Sequence, residues 1–359
     1  MLKNCCLGSL FVLMVMPLAE TLSQDAPTQL GVAHIGGLYS FSDADYLNEG
    51  ASTAIDLGAK CIKVSLSLDT ENPSAKLYPF HSEWPSVKTL EALADTSYFR
   101  ALFSREFDTF ILNTFRPGRP AAYWRDGLSG EDEKAEEECF AALTRYLLHT
   151  YRNANKTFVL QNWEGDWALR GNFDPRTVPT EIAKAAMIRW LAARQRGVER
   201  ARQEMPHTKA RVFHACEVNL VKQAMEHRAP SVTTDVLPQL RVDLASYSAW
   251  DTKDDPERFA EALEFIAKYK QPTMPFGAKG VYVGEFGLAE TGHRPEEVLE
   301  RTRQMLAVAR RFGCPYAVYW QLYCNQALKT PPKSNADYKG FWLVRPDATR
   351  SPVCTLFQQ

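Results

Sequence analysis

Eight short runs rich in β-branched and aromatic residues recur along the chain, most of them almost continuously apolar. They cover residues 29–35, 61–66, 109–115, 157–163, 210–216, 242–248, 280–286 and 315–322. Runs without polar alternation suit strands that helices cover from outside. The intervals carry helical periodicity at 42–57, 129–152, 180–204, 256–269 and 295–312. Ser42 and Ser129 stand where N-caps are wanted, and Pro295 takes a favourable first helical position. Strand–helix alternation repeated eight times predicts an α/β fold, a single (β/α)8 TIM barrel. A doubly wound open sheet is the competing fold. Gly36-Gly37 after the first run lacks the glycine-rich phosphate turn that would favour it.

Two connections are long. Residues 69–84 include Pro73, Tyr78, Pro79 and Phe80, and residues 325–344 include Pro331, Pro332, Tyr338, Phe341 and Trp342. Both follow strands, which places them on the carboxyl-end face where barrel sites are built.

Composition adds limits. With 359 residues, 45% hydrophobic and 24% charged, the chain can bury a large core. Its 42 basic and 43 acidic residues leave a net charge of -1, so no basic face is implied for nucleic acid. The start is different in character. Lys3 precedes an apolar run from Leu7 to Leu18, and the small residues Ala19 and Ser23 follow. This layout reads as a signal peptide over residues 1–23, leaving 24–359 as a secreted or periplasmic barrel domain. An uncleaved membrane anchor is the alternative, and nothing later in the chain could span a bilayer.

Of the eight cysteines, Cys5 and Cys6 fall in the leader. Cys61, Cys139, Cys216, Cys314, Cys324 and Cys354 are scattered without zinc spacing. Export would permit pairing, for instance of Cys324 with Cys354; buried thiols are the other outcome.

Candidate chemistry lies at the strand ends. The fourth run leads into Asn162-Trp163-Glu164-Gly165-Asp166, the seventh ends in Glu285-Phe286-Gly287, and the eighth contains Trp320. Carboxylates on strands four and seven would face each other across the barrel mouth among indoles. Glycosidic cleavage needs such a pair, one to protonate the leaving oxygen and one to attack the anomeric carbon or activate water. Indole faces stack on sugar rings. Glu217 and Glu290 are further carboxylates near the mouth, and Lys63 on the second run could pair with one of them. His34 and His214 read as core histidines within strands. No HxH pair or GxSxG elbow occurs, so neither a metal, another cofactor nor a serine nucleophile is expected.

In these motifs the chain resembles the clan-A glycoside hydrolases, the superfamily of 4/7 barrels. The resemblance implies Glu285 as nucleophile, Glu164 as acid/base with Asn162 beside it, and Trp320 as a sugar platform. It also implies that Tyr247 hydrogen-bonds the nucleophile. Trp163 separates Asn162 from Glu164 where that superfamily has the two adjacent. A regular strand would put residues 162 and 164 on one face, and Asp166 stands as the substitute acid. The implied activity is that of a secreted retaining glycosidase acting on an oligosaccharide or polysaccharide. Two alternatives are a carbohydrate-binding barrel without catalysis and a barrel hydrolase built on Glu217 or Asp166.

Overall fold

The computed structural model describes residues 27–277 and 279–358. Residues 1–23, read as a signal peptide, lie outside them. The eight runs form eight parallel strands, and the eighth pairs with the first to close a barrel. The strands are β1 (Gln29–Ala33), β2 (Cys61–Ser67), β3 (Thr109–Phe115), β4 (Thr157–Gln161), β5 (Arg211–Val218), β6 (Leu244–Ser248), β7 (Val281–Phe286) and β8 (Tyr316–Tyr319). The barrel fold expected from the alternation is the fold observed.

Helices in chain order are α1 (Tyr46–Leu57), α2 (Ser74–Leu77), α3 (Leu90–Ala94), α4 (Ser97–Ser104) and α5 (Gly130–Thr150). They continue with α6 (Gly165–Arg170), α7 (Glu181–Glu204), α8 (Val221–His227), α9 (Pro256–Tyr269) and α10 (Pro295–Phe312). Ser129 caps α5, accepting the Asp132 N–H, and Thr180 does the same for α7 through Ala183. The first helix begins later than its periodicity predicts. Asp45 caps it, while Ser42 spends its hydroxyl on the Glu49 carboxylate at 2.7 Å.

Alternation along the strands separates two cores. Outward residues such as Ile62, Phe110, Phe158 and Val212 pack under the helices. Inward ones, including Cys61, Ile111, Val159, Phe213, Leu244 and Tyr282, fill the barrel. Between the long helices α5 and α7, the buried Arg194 reaches Glu136 at 2.7 Å and lies 3.7 Å from the Trp190 ring centroid. All six cysteines described are free, including Cys324 and Cys354. Among the described residues no helix is long and apolar enough to cross a membrane. A cavity of about 600 Å³, lined by Arg211, Lys279, Arg310 and Tyr316 among others, opens at the amino end of the barrel. It is remote from the carboxyl groups described next.

Candidate active site

Toward the carboxyl ends of the strands, the barrel interior turns from apolar to charged. Continuing inward from Cys61, Val159, Ala215 and Leu244, the next positions are Lys63, Gln161, Glu217 and Ser246, all fully buried. Buried polar groups at this density persist only when each finds a partner. Gln161 donates to Asn113 at 3.0 Å and to Glu217 at 2.9 Å, and the Tyr282 hydroxyl donates to the Gln161 carbonyl oxygen.

Strict alternation on β7 would turn Glu285 outward, because Tyr282 faces in and Val283 faces out. A register shift prevents this: Tyr247 pairs with Val283, but the next residue, Ser248, pairs with Glu285. The extra residue, Gly284, re-aims the carboxylate into the barrel. A Cβ on Gly284 would come within 1.9 Å of Ser246 Oγ, so a side chain here would turn that hydroxyl away from its place beside Glu217.

Four donors then saturate Glu285. Its Oε1 accepts from Lys63 Nζ at 2.8 Å and Trp163 Nε1 at 3.0 Å. Its Oε2 accepts from Ser248 Oγ and Trp250 Nε1, each at 3.0 Å. Lys63 is shared: its Nζ is also 3.3 Å from Glu217 Oε2. Burial pulls the Lys63 ammonium towards deprotonation, but the two carboxylates outweigh it and hold its pKa above the ordinary value.

Glu164 is presented by a turn. The fourth strand ends at Gln161, two residues short of the predicted run, so strand alternation does not set the Asn162–Glu164 relation. Glu164 has φ 57 and ψ 48, a left-handed conformation costly for a residue with a Cβ, and it caps α6. The end of β5 holds it there. Glu217 Oε1 accepts the Glu164 N–H at 2.7 Å, and Asn219 Nδ2 donates to Glu164 Oε2 at 3.1 Å. Asn162 completes the clamp by accepting the Glu217 N–H at 3.0 Å. Enclosure raises the Glu164 pKa well above its usual range, and the negative charges of Glu285 and Glu217 raise it further, against the pull of Lys63. Burial likewise lifts Glu217 to about 7, with Lys63 opposing.

Among the residues expected at the site, Glu164, Glu217, Glu285 and Trp163 converge, and Trp163 packs with Trp250 and Trp320 in one cluster. Asn162 serves the backbone of β5. Asp166 is fully buried, pairs with Arg170 at 3.1 Å and accepts the N–H groups of Asn219 and Val232. It is a bracket between loops, not an acid facing the mouth. Tyr247 departs from expectation: it faces outward, stacks on Phe259 of α9 and bonds Asp251 and Thr252. The inward residue is its neighbour Ser248, which takes the contact with Glu285 that the resemblance assigned to the tyrosine. Glu290 is committed to Trp342 and Arg345. His34 is enclosed, bonding the Tyr46 carbonyl at 2.8 Å, and burial pushes its imidazole down to about 4. Asn219, Ser248 and Trp250 had no motif to mark them. For Ser248 the available signal was alternation from Leu244.

No family model matches the chain, and no curated protein matches it. Solved structures do share the fold. A GH5_18 protein from Bifidobacterium longum, in complex with Manb1-4GlcNAc, superposes with a TM-score of 0.57 at 13% identity, over 92% of this chain and 77% of that one. An exo-beta-1,4-mannosidase from an Opitutaceae bacterium gives 0.56 at 12% identity, over 92% of this chain. The present chain spans 58% of the mannosidase's length. A GH5-4 broad specificity endoglucanase from Clostridium acetobutylicum gives 0.54 at 9% identity, over 93% of this chain and 97% of that one. The chain therefore shares the closed eight-stranded barrel fold of these three proteins.

Proposed function

We propose that the chain is a glycoside hydrolase that cleaves O-glycosidic bonds with retention of configuration, Glu285 acting as nucleophile and Glu164 as general acid/base. The observation that carries this reading is geometric: Glu285 lies in an indole-walled mouth with Trp163 Nε1 at 3.0 Å, and Glu164 is held beside it by Glu217, which shares Lys63 with Glu285. Burial first, and then the charge of Glu285, raises the Glu164 pKa. The glycosidase names of the fold's neighbours agree with this reading, and the substrate class is an oligosaccharide or polysaccharide. The leader read over residues 1–23 supports export.

Chemically, the Glu164 carboxyl gives its proton to the glycosidic oxygen as the bond to the anomeric carbon breaks. Glu285 attacks that carbon and forms a glycosyl ester. Glu164, now a carboxylate, takes a proton from water, whose oxygen displaces Glu285 and restores both groups. Lys63 disperses the returning charge on Glu285. Trp163, Trp250 and Trp320 supply apolar faces for the sugar ring and keep bulk water from the ester. Glu285 already accepts four hydrogen bonds, about the full capacity of a carboxylate. An attacking oxygen must therefore release one indole donor as substrate enters.

That saturation is also the observation favouring a second reading, a carbohydrate-binding barrel whose carboxylate is structural. A 2-deoxy-2-fluoroglycoside with a good leaving group separates the two. Stoichiometric inactivation, with the added mass mapped to the peptide bearing Glu285, supports the nucleophile; glycan binding without labelling or turnover supports the binding barrel. Glu285→Gln should lower turnover on the order of 10⁴-fold or more while glycan binding persists.

A further inference from the structure

Glu217 has no solvent exposure and cannot touch a sugar, yet it contacts both halves of the site. We propose that Glu217 is a positioning residue that holds the Glu164 turn through its backbone N–H and, through Lys63, links the charge of Glu164's support to that of Glu285. This inference rests on the glycosidase reading for its consequence in turnover, but the linkage itself is a property of the folded chain.

The geometry demands a carboxylate at this position. Every side-chain contact of Glu217 is a donor: the Glu164 N–H at 2.7 Å, Gln161 Nε2 at 2.9 Å, Lys63 Nζ at 3.3 Å and Ser246 Oγ at 3.4 Å. A protonated acid or an amide would turn a donor towards one of these donors. Losing the contact to Glu164 leaves its left-handed turn without the bond that offsets the strain. Losing the contact to Lys63 leaves that ammonium to Glu285 and the Gly284 carbonyl. Titratable groups facing Glu217 are Lys63 on β2, Glu164 at the start of α6, Cys216 on β5 itself, and Glu285 and Tyr282 on β7. The neighbour on β6 is Ser246, which does not titrate in this range. Because Glu217 is held to about 7, its proton is exchanged near neutrality, where the turn would loosen or tighten.

Carboxyl-carbon NMR of the ¹³C-Glu-labelled full chain tests the linkage, with Glu164 and Glu217 assigned from Glu164→Gln and Glu217→Gln. In the wild type, the Glu164 signal should show a second inflection at the pH where Glu217 titrates. In folded Glu217→Gln, Glu164 should titrate at lower pH than in the wild type, since one of the charges that raise it is gone. The alkaline limb of kcat/KM should move the same way, with kcat lowered and KM little changed. A wild-type Glu164 signal with one inflection, or an unmoved titration in the folded variant, overturns the proposal. The wild-type measurement decides even if the variant fails to fold. If the linkage appears but the wild type turns over no glycan, the glycosidase reading fails and the linkage stands.

Discussion

Lys63 Nζ lies 2.8 Å from Glu285 Oε1, with the lysine side chain wholly buried and the glutamate 2% exposed. The same ammonium lies 3.3 Å from Glu217 Oε2. Taking two carboxylates out of water is tolerable only while that charge is present. Lys63→Met should therefore cost about 3–5 kcal/mol, the usual penalty for stranding a buried charge. The deficit should shrink as pH falls, because protonation then neutralises the stranded carboxylates. Urea unfolding at pH 8 and pH 5 reads both effects. Equal stability of variant and wild type at pH 8 would contradict the geometry.

Close approach of two chain segments makes a second prediction at Gly165, directly after the proposed acid. A Cβ there would stand 2.0 Å from the Glu217 backbone oxygen, so β5 and the Glu164 turn could not keep their spacing. Gly165→Ala should cost about 1–3 kcal/mol as an overpacking change. Displacing the acid by a fraction of an ångström or more should lower kcat on the order of 10²-fold. Thermal unfolding and turnover on one glycan would report the two losses. Activity at the wild-type level would show that the turn is not held by this contact.

Asp166 offers a direct contrast with Glu164. Its carboxylate braces Arg170, whose side chain is 1% exposed, and gathers N–H groups from Asn219 just past β5 and from Val232 after α8. Asp166→Asn should destabilise by about 3 kcal/mol, because the buried guanidinium loses its counter-charge. The limbs of the pH–rate profile should stay in place. A variant of full stability with a displaced alkaline limb would return Asp166 to the role of acid.

The barrel was legible because each strand is buried on both faces and so writes an apolar run, which periodicity detects. Glu285 and Glu164 were legible as carboxylates at strand ends, Glu285 within the last residues of β7 and Glu164 just past β4. Their mechanism of presentation was not. The inward turn of Glu285 depends on the register shift beside Gly284, a relation between β6 and β7 that neither strand encodes alone. Glu164 adopts its left-handed backbone because Glu217, 53 residues away, takes its N–H. Tyr247 was misassigned for the same kind of reason. Its side-chain type fitted the resemblance, but inward-facing Leu244 puts 246 and 248 in the barrel and 247 outside. Ser248 and Trp250 become partners of Glu285 only once the strands are in register.

Acid should weaken the fold through its enclosed histidines. Burial holds His34 at about 4, below its ordinary 6.5, with the bond to the Tyr46 carbonyl opposing the shift. His214 is lowered too, first by burial and then by Arg194 and Arg202. A histidine depressed in the folded state binds its proton more readily when unfolded. Its contribution is therefore intact above about 6.5 and is lost as pH falls from there towards 4. For His34 the loss is on the order of 3 kcal/mol across that window. Space for a larger ring is absent, since a Cβ on Gly50 would already sit 2.4 Å from the imidazole. His34→Gln keeps a donor for the Tyr46 carbonyl without the titration. Urea unfolding at several pH values between 7 and 4.5 should give a shallower acid slope for this variant than for the wild type. Parallel slopes would place the acid sensitivity elsewhere, with His214 the next residue to replace.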